Sequence, residues 1–520
     1  MIIKINKGLN MRLPGYETPE GQALILQNYD MSHNEILEQI QGSVKYHGAT
    51  LGTNAPTSIM VNYNELENKQ DVLVAVDDTV LKKNFGSNEF ENLLGGFTPN
   101  SIKQALNLEN KTYIAAPFDG LFEYDGVSVI AKVNDIKLRD IIYSKETNRC
   151  FGIQADNDLV WTDDLATMGG VPLLWAGTNA SIFPPTKGDI PEKLWILNGR
   201  LVILKTDSIW FQYILGGPTD WRPEKLSFPG GCIAAQTVRQ VGQELWFLGF
   251  SAETGRGVYG VNGSGEVRLL SYDVEPFLDR INYHKIKDAV AEHVNNIYKI
   301  SFAIDASLEN DYTLHFDTIN INKDTGSPNI YGPHTYGFSA STVLNTTKFR
   351  GEHLFARKHS DGARIFKVAN YRTQYSDELS DNGSLIPTIL LTGIISTENY
   401  KGGSLDDTWF KRYSNLYLDN PPLGTWYGTI EILKGFENET FTDYKHYMEG
   451  SNLSIEALSL GSDPLDFQSL ASDLHRMEFV SDAIQIKVSN YIVNVKTAFR
   501  SIRYDVTPDR RKKNVELVQI

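Results

Sequence analysis

The stretch 194-LWILNGRLVILKTDSIWFQYI-214 decides the fold. Two apolar runs flank the turn Asn198-Gly199, and a third follows the polar 205-KTDS-208. Runs of this length, punctuated by Asn, Asp and Gly, read as strands joined by tight hairpins. The same unit recurs as 72-VLVAVDDTVLKK-83, 112-TYIAAPFDGLFEYDGVSVIAKV-133, 149-RCFGIQADNDLVWT-162, 245-LWFLGFSAETGRGVYGVNG-263, 297-IYKISFAIDASLENDYTLHF-316 and 353-HLFARKHSDGARIFKV-368. Their starts lie roughly 40–55 residues apart, the span of a four-stranded propeller blade. The expectation is an all-β chain with a β-propeller of six or seven blades over residues 46–370.

Two flanks lack the repeat. Residues 1–45 carry turn chemistry at Pro14, Gly15, Pro19 and Gly21, then a short strand or helix, 23-ALILQNYDM-31, and read as an N-terminal arm. After the polar, turn-rich 371-YRTQYSDELSDNGSLIP-387, longer β-segments follow: 388-TILLTGIIS-396, 408-TWFKRYSNLYLD-419, 425-TWYGTIEILKGF-436, 484-IQIKVSN-490 and 497-TAFRSIRYDVTP-508. Alternation within them predicts a C-terminal antiparallel, sandwich-like β-domain over 371–520, a platform beside the propeller. A propeller's first and last strands usually meet, so the arm is expected to pack on this domain. One helix is predicted, over 273-DVEPFLDRINYHKIKDAVAE-292, from its Asp cap, Pro276 in the first turn and apolar spacing of three to four.

Composition narrows the function. A net charge of −15 argues against gripping nucleic acid by its phosphates, which takes clustered Lys and Arg. The two cysteines, Cys150 and Cys232, are too few for a disulfide framework. The opening 1-MIIKINKGLNMRLPGY has no apolar signal core, and no segment has the length of a membrane span.

Catalytic signatures are scarce. The chain has no G-x-x-x-x-G-K-[ST] loop, no H-E-x-x-H and no G-x-S-x-G elbow. The ten histidines include no pair three or four apart, so each is expected at the surface or the core edge. The acidic turns Asp77–Asp78, Asp156–Asp158 and Asp163–Asp164 lack a calcium-loop pattern and read as turn residues. No metal or cofactor is expected, and no catalytic residue. A carboxylate pair meeting in the channel, as glycoside hydrolysis requires, stays open. The basic run Arg510, Arg511, Lys512 and Lys513 reads as a solvated strand end, or as a contact with a partner subunit or with DNA phosphate.

Two stretches carry a family resemblance. In 8-GLNMRLPGYETPEGQALILQNYDM-31, Gly8, Asn10, Pro14, Ala23 and Asn28 occupy positions seen where phage tail β-propeller proteins enter their first blade. The second covers residues 193–221 and then 230–263. There Asn198, Gly199, Arg200, Leu201, Ser208, Ile209 and Trp210, then Trp246, Phe247, Gly257, Val258 and Tyr259, resemble the tail hub or nozzle proteins of short-tailed phages, the packaged-DNA stabilisation family. The resemblance implies a virion structural protein without enzymatic activity, assembled in the bacterial host cytoplasm. It implies a homo-oligomeric ring, six-fold, below the portal and adaptor. Such a ring extends the DNA channel, lets double-stranded DNA pass without tight binding, retains packaged DNA and docks tail fibres or spikes. The alternative is a tail-associated propeller that binds or cleaves glycans.

Overall fold

The structure is a computed structural model. It describes residues 2–3, 6–13, 18–19, 21–31, 37–40, 42–64, 69–84, 86–108, 110–127, 130–166, 175, 180–181, 188–322, 326–344, 351–360, 362–368, 388–392, 409–419, 427–434, 439–449, 472–481, 484–490, 498–499 and 501–512. Past residue 400 it gives backbone and strand pairing, with side chains described at 485–489.

The hairpins form where the turn residues permit left-handed backbone. Asn198 and Gly199 have φ of 50° and 73°, and Asn295 and Asn296 have 51° and 64°. Two consecutive positive φ values make the turn whose twist matches the flanking strands. Each hairpin extends into an antiparallel sheet. The first holds Ser58–Asn64, Lys69–Val76, Thr79–Asn84 and Glu89–Gly95, and the second runs from Gln104–Leu108 to Ile130–Asn134. The third begins with Leu138–Ser144 and the fourth with Pro191–Leu197. In the fifth, Gly230–Cys232 and Arg239–Val241 both pair with Glu244–Ser251. Ala340–Leu344, Glu352–His359 and Gly362–Val368 make the last, to which Ser43–Lys45 adds the fourth strand. These six blades stand as separate sheets. A seventh sector sits between the fifth and the last blade: Val290–Val294, Ile297–Phe302, Tyr312–Ile321 and Pro328–His334.

Packing closes the ring. Blade middles are buried on both faces, as in Arg200–Lys205, whereas the outer strand Arg222–Lys225 is exposed. This is why the sequence shows continuous apolar runs rather than alternation. Each adjacent pair shares an apolar cluster, and one of these joins Val72 and Val74 of the first blade to Leu354 and Ile365 of the last. Gly231 marks the crossing from the fourth to the fifth blade, because a Cβ there would strike the carbonyls of Lys205 and Thr206.

Additional antiparallel sheets form a separate domain, joined to the ring along one edge. The seventh sector's outer strand, Pro328–His334, pairs with Ala23–Gln27, which pairs with Thr388–Thr392. The sheet continues through Ile484–Asn490 and Tyr427–Lys434 to Glu439–Glu449, nine strands in all. Ile2–Ile3 pairs with Ser501–Lys512, and Leu37–Gln39 with Ala498–Phe499. Ile2–Ile3, Ala23–Gln27 and Leu37–Gln39 are therefore woven through the C-terminal strands, and Ser43–Lys45 completes a blade.

The helix over 273–292 is not formed. Tyr272–Val274 and Tyr283–Asp288 are 3₁₀ turns, and Glu275–Leu278 is a single α-turn. Asn282 has extended backbone and caps the start of the second 3₁₀ turn, accepting from His284 N–H at 3.0 Å. Val290–Val294 is taken instead as the seventh sector's first strand, where pairing with Ile297–Phe302 buries Val290, Ala291 and Val294. Tertiary burial outweighs the weak helical propensity of that segment. Among the described residues, no helix is long and apolar enough to cross a membrane.

Candidate functional site

Two places gather chemistry. The first is a polar cavity of about 270 Å³ among the ring's inner strands. Ser58–Val61, Lys103–Ala105 and Asn107 line it from one side, and Gln236, Arg239, Val290, Glu292 and Ser339–Thr342 from the other. A wider opening of about 950 Å³ adjoins it and shares Glu292 and Thr342. Inner strands carry polar residues here because their side chains face the axis rather than a neighbouring blade.

Two ion pairs lie close to the axis. Arg239 Nε lies 3.2 Å from Glu292 Oε1, and Ser341 Oγ donates to Glu292 Oε2 at 3.3 Å. Lys193 Nζ lies 2.6 Å from Asp140 Oδ1 and donates to Gln104 Oε1 at 3.1 Å, while Leu194 N–H donates to Asp140 Oδ2 at 2.7 Å. Burial lowers the pKa of Lys103, whose ammonium donates to the carbonyl and hydroxyl of Ser101. Glu292 is the one carboxylate lining the smaller cavity among the described residues. A glycosidase needs two, one of them free to give or take a proton. The cavity offers hydroxyls, amides and a guanidinium instead, which is equipment for hydrogen-bonding a polar ligand.

The second place lies between the seventh sector and the N-terminal segment. Asp30, on the strand Tyr29–Met31, places Oδ2 2.8 Å from His315 Nδ1, and His315 Nε2 lies 2.8 Å from Tyr336 Oη. The rings of His315 and His334 have centroids 3.9 Å apart. One ligand atom from each of Asp30, His315 and His334 falls within 4.8 Å of the others. His334 is fully buried, and neither ring nitrogen has a hydrogen-bond partner. Burial, followed by the charge of Lys299, drives the His315 pKa well below its ordinary value. His334 is lowered likewise by burial, with His315 and Lys299 adding to the effect and Asp30 opposing it. Burial thus favours the neutral imidazole, the form that carries a lone pair for a metal.

The expectation that histidines sit at the surface or core edge is corrected by this cluster. His47, His315, His334 and His353 are buried, while His284 is exposed. No spacing in the sequence signals the cluster, because residues 315 and 334 lie on paired strands of the nine-stranded sheet and residue 30 on Tyr29–Met31, a strand of another sheet. Among the described residues the acidic turns gather no comparable set. Asp77 instead accepts from the N–H groups of Thr53 at 3.0 Å and Asn54 at 3.2 Å.

Of the motif residues, Asn28 borders the second place, its Oδ1 accepting from the Thr335 N–H at 2.7 Å between His334 and Tyr336, and the following lie apart from both places. Gly8 has φ of 82° and sits against the Ile330 carbonyl, and Asn10 is buried, donating to Gln22 Oε1 at 2.8 Å. Pro14 lies outside the described residues. Arg200 lies over the Tyr213 ring at 4.4 Å, and Leu201 is core. Ser208 Oγ donates to Asp189 Oδ2 at 2.5 Å and accepts from Trp210 Nε1 at 2.8 Å. Trp246 packs edge-on to Tyr298 at 5.5 Å, Phe247 stacks with Tyr259 at 6.1 Å, and Val258 is buried. Arg510, Arg511 and Lys512 end the long strand Ser501–Lys512, with backbone alone described, and Lys513 lies outside the described residues.

No family model matches the chain, and no curated protein matches it. Solved structures similar to it include the crystal structure of the computationally designed Ika8 protein. That likeness has 12% identity and a TM-score of 0.36, over 62% of this chain and 100% of that one. The propeller assignment rests on the sheet topology itself.

Proposed function

We propose that this chain is a propeller binding module that takes a hydroxyl-rich ligand of the glycan class at its axial cavity and does not hydrolyse it. The carrying observation is the lining: hydroxyls, amides and Arg239 around one ion-paired carboxylate. The smaller cavity is near the low end of small-ligand sites, the size of one sugar unit, and the adjoining opening leaves room for further units. Saturation-transfer NMR against a panel of neutral and uronic oligosaccharides tests this. Binding is expected in the micromolar to millimolar range, weakened about tenfold or more by Gln236→Ala, with no release of reducing ends. Binding unchanged by Gln236→Ala, or turnover, overturns it.

A second reading is favoured by the weaving of Ile2–Ile3, Ala23–Gln27 and Leu37–Gln39 through the C-terminal strands. Together with the resemblance, this platform supports a ring-forming structural subunit of a phage tail, six-fold and located in the virion, where DNA passes without tight binding. Mass photometry of the chain with its neighbouring tail proteins is expected to give a closed ring. A virion reconstruction showing isolated copies off the tail axis sinks this reading.

A further inference from the structure

We propose that Asp30, His315 and His334 bind one first-row divalent metal ion, of the Zn²⁺ class, which clamps the N-terminal segment to the seventh sector of the propeller.

The ligand chemistry fits. Two imidazoles and one carboxylate are the donors that first-row divalent ions take, and the three converge within 4.8 Å. Four-coordinate zinc with bonds of roughly 2.0–2.1 Å sets its donors about 3.3 Å apart, so small side-chain rotations bring this set into place. The second observation is independent of that convergence. His334 is buried with both ring nitrogens unpartnered, and a buried polar group left so is destabilising. A metal on one nitrogen removes most of that penalty.

The surroundings are those of a metal-bound histidine. Tyr336 Oη lies 2.8 Å from His315 Nε2, so with the proton on Nε2, the tautomer a metal on Nδ1 requires, Tyr336 accepts it; without metal, the proton sits on Nδ1 and is donated to Asp30. The His315 Nδ1 to Asp30 Oδ2 distance of 2.8 Å is a hydrogen bond without metal and widens when both atoms ligate. Lys299 lies opposite His315 on the neighbouring strand. The negative charge of Asp30 offsets part of the metal's charge, and three protein ligands leave a fourth position for water. The clamp joins segments 285 residues apart in sequence.

The test uses the full chain. Purified protein is stripped with a chelator, then titrated with Zn²⁺ by calorimetry and with Co²⁺ by visible absorption. One equivalent of Zn²⁺ is expected, with a four-coordinate Co²⁺ band and a thermal midpoint that rises on Zn²⁺ addition. Asp30→Asn and His334→Gln are expected to lower Zn²⁺ affinity by more than the roughly 10–100-fold that loss of an outer partner costs. Tyr336→Phe, which leaves all three ligands in place, is expected to fall within that 10–100-fold range. A folded wild-type chain that binds no Zn²⁺ overturns the proposal, and so does one that binds it equally well in all three variants. The wild-type and Tyr336→Phe measurements remain decisive if a ligand variant does not fold.

Discussion

Deleting residues 1–31 is expected to break the joint between the propeller and its second domain, not merely to remove a tail. Ala23–Gln27 lies inside a nine-stranded sheet, with the propeller on one side and Thr388–Thr392 on the other. Its loss leaves two unpaired strand edges, Pro328–His334 and Thr388–Thr392, each a template for aggregation. It also empties Leu9, Ala23, Leu26 and Tyr29 from the largest core cluster. Leu26→Ala alone is expected to cost about 2–5 kcal/mol as a large-to-small core change. The truncated chain should be mostly insoluble, and Leu26→Ala should shift the denaturant midpoint strongly downward. Ser43–Lys45 stays in the deletion, so any soluble fraction should still close its last blade. A truncated chain that is soluble and melts like the parent contradicts this account.

The second large effect is expected at Asp189. Its carboxylate lies 3.2 Å from Lys205 Nζ, and both side chains are almost fully buried, at 5% and 2% exposure. Ser208 Oγ and the Asp207 N–H also donate to it. Asp189→Ala strands a buried ammonium and is expected to cost about 3–5 kcal/mol, read as a fall in the urea midpoint at neutral pH. Burial works to raise the Asp189 pKa, but the bonds from Ser208, Asp207 and Lys205 outweigh it, and the folded value is lowered. The stability this carboxylate supplies is therefore complete above the ordinary carboxylate range, near pH 4, and is lost as pH falls through the depressed folded value. Asp189→Asn should flatten that acid limb. An Asp189→Ala midpoint within experimental error of wild type overturns the assignment.

The propeller was legible because its information is local. Asn198-Gly199 and its counterparts set the turns, and the apolar runs beside them are long enough to name strands without knowing their neighbours. All seven quoted hairpins correspond to paired strands. The segment 273–292 misled because apolar spacing of three to four also fits two 3₁₀ turns followed by a buried strand, and only Ile297–Phe302 decides between them. The strands Glu439–Glu449 and Ser472–Ser481 were not anticipated. The Asp30–His315–His334 cluster was illegible for a different reason. His315 lies in an apolar strand, 313-TLHF-316, and reads there as a core substitution. Its partners arrive from an adjacent strand and from the far end of the chain. The axial cavity was equally hidden, since its lining comes from strands far apart in the sequence, Ser58–Asn64, Gln104–Leu108, Val290–Val294 and Ala340–Leu344 among them.

The pairing of Ser43–Lys45 with Gly362–Val368 bears on how the molecule is made. A ribosome releases Ser43–Lys45 early, and their partner strand only after nearly the whole propeller has been synthesised. Each early blade can form on emergence, since its strands are sequence neighbours. The circle cannot lock until Phe366 reaches Lys45. Through most of translation the first blade keeps one flank, Val72 and Val74, without the cover that the last blade provides. The nascent chain thus carries an apolar face that waits for its own far end, and this interval is where chaperone protection matters most for this protein.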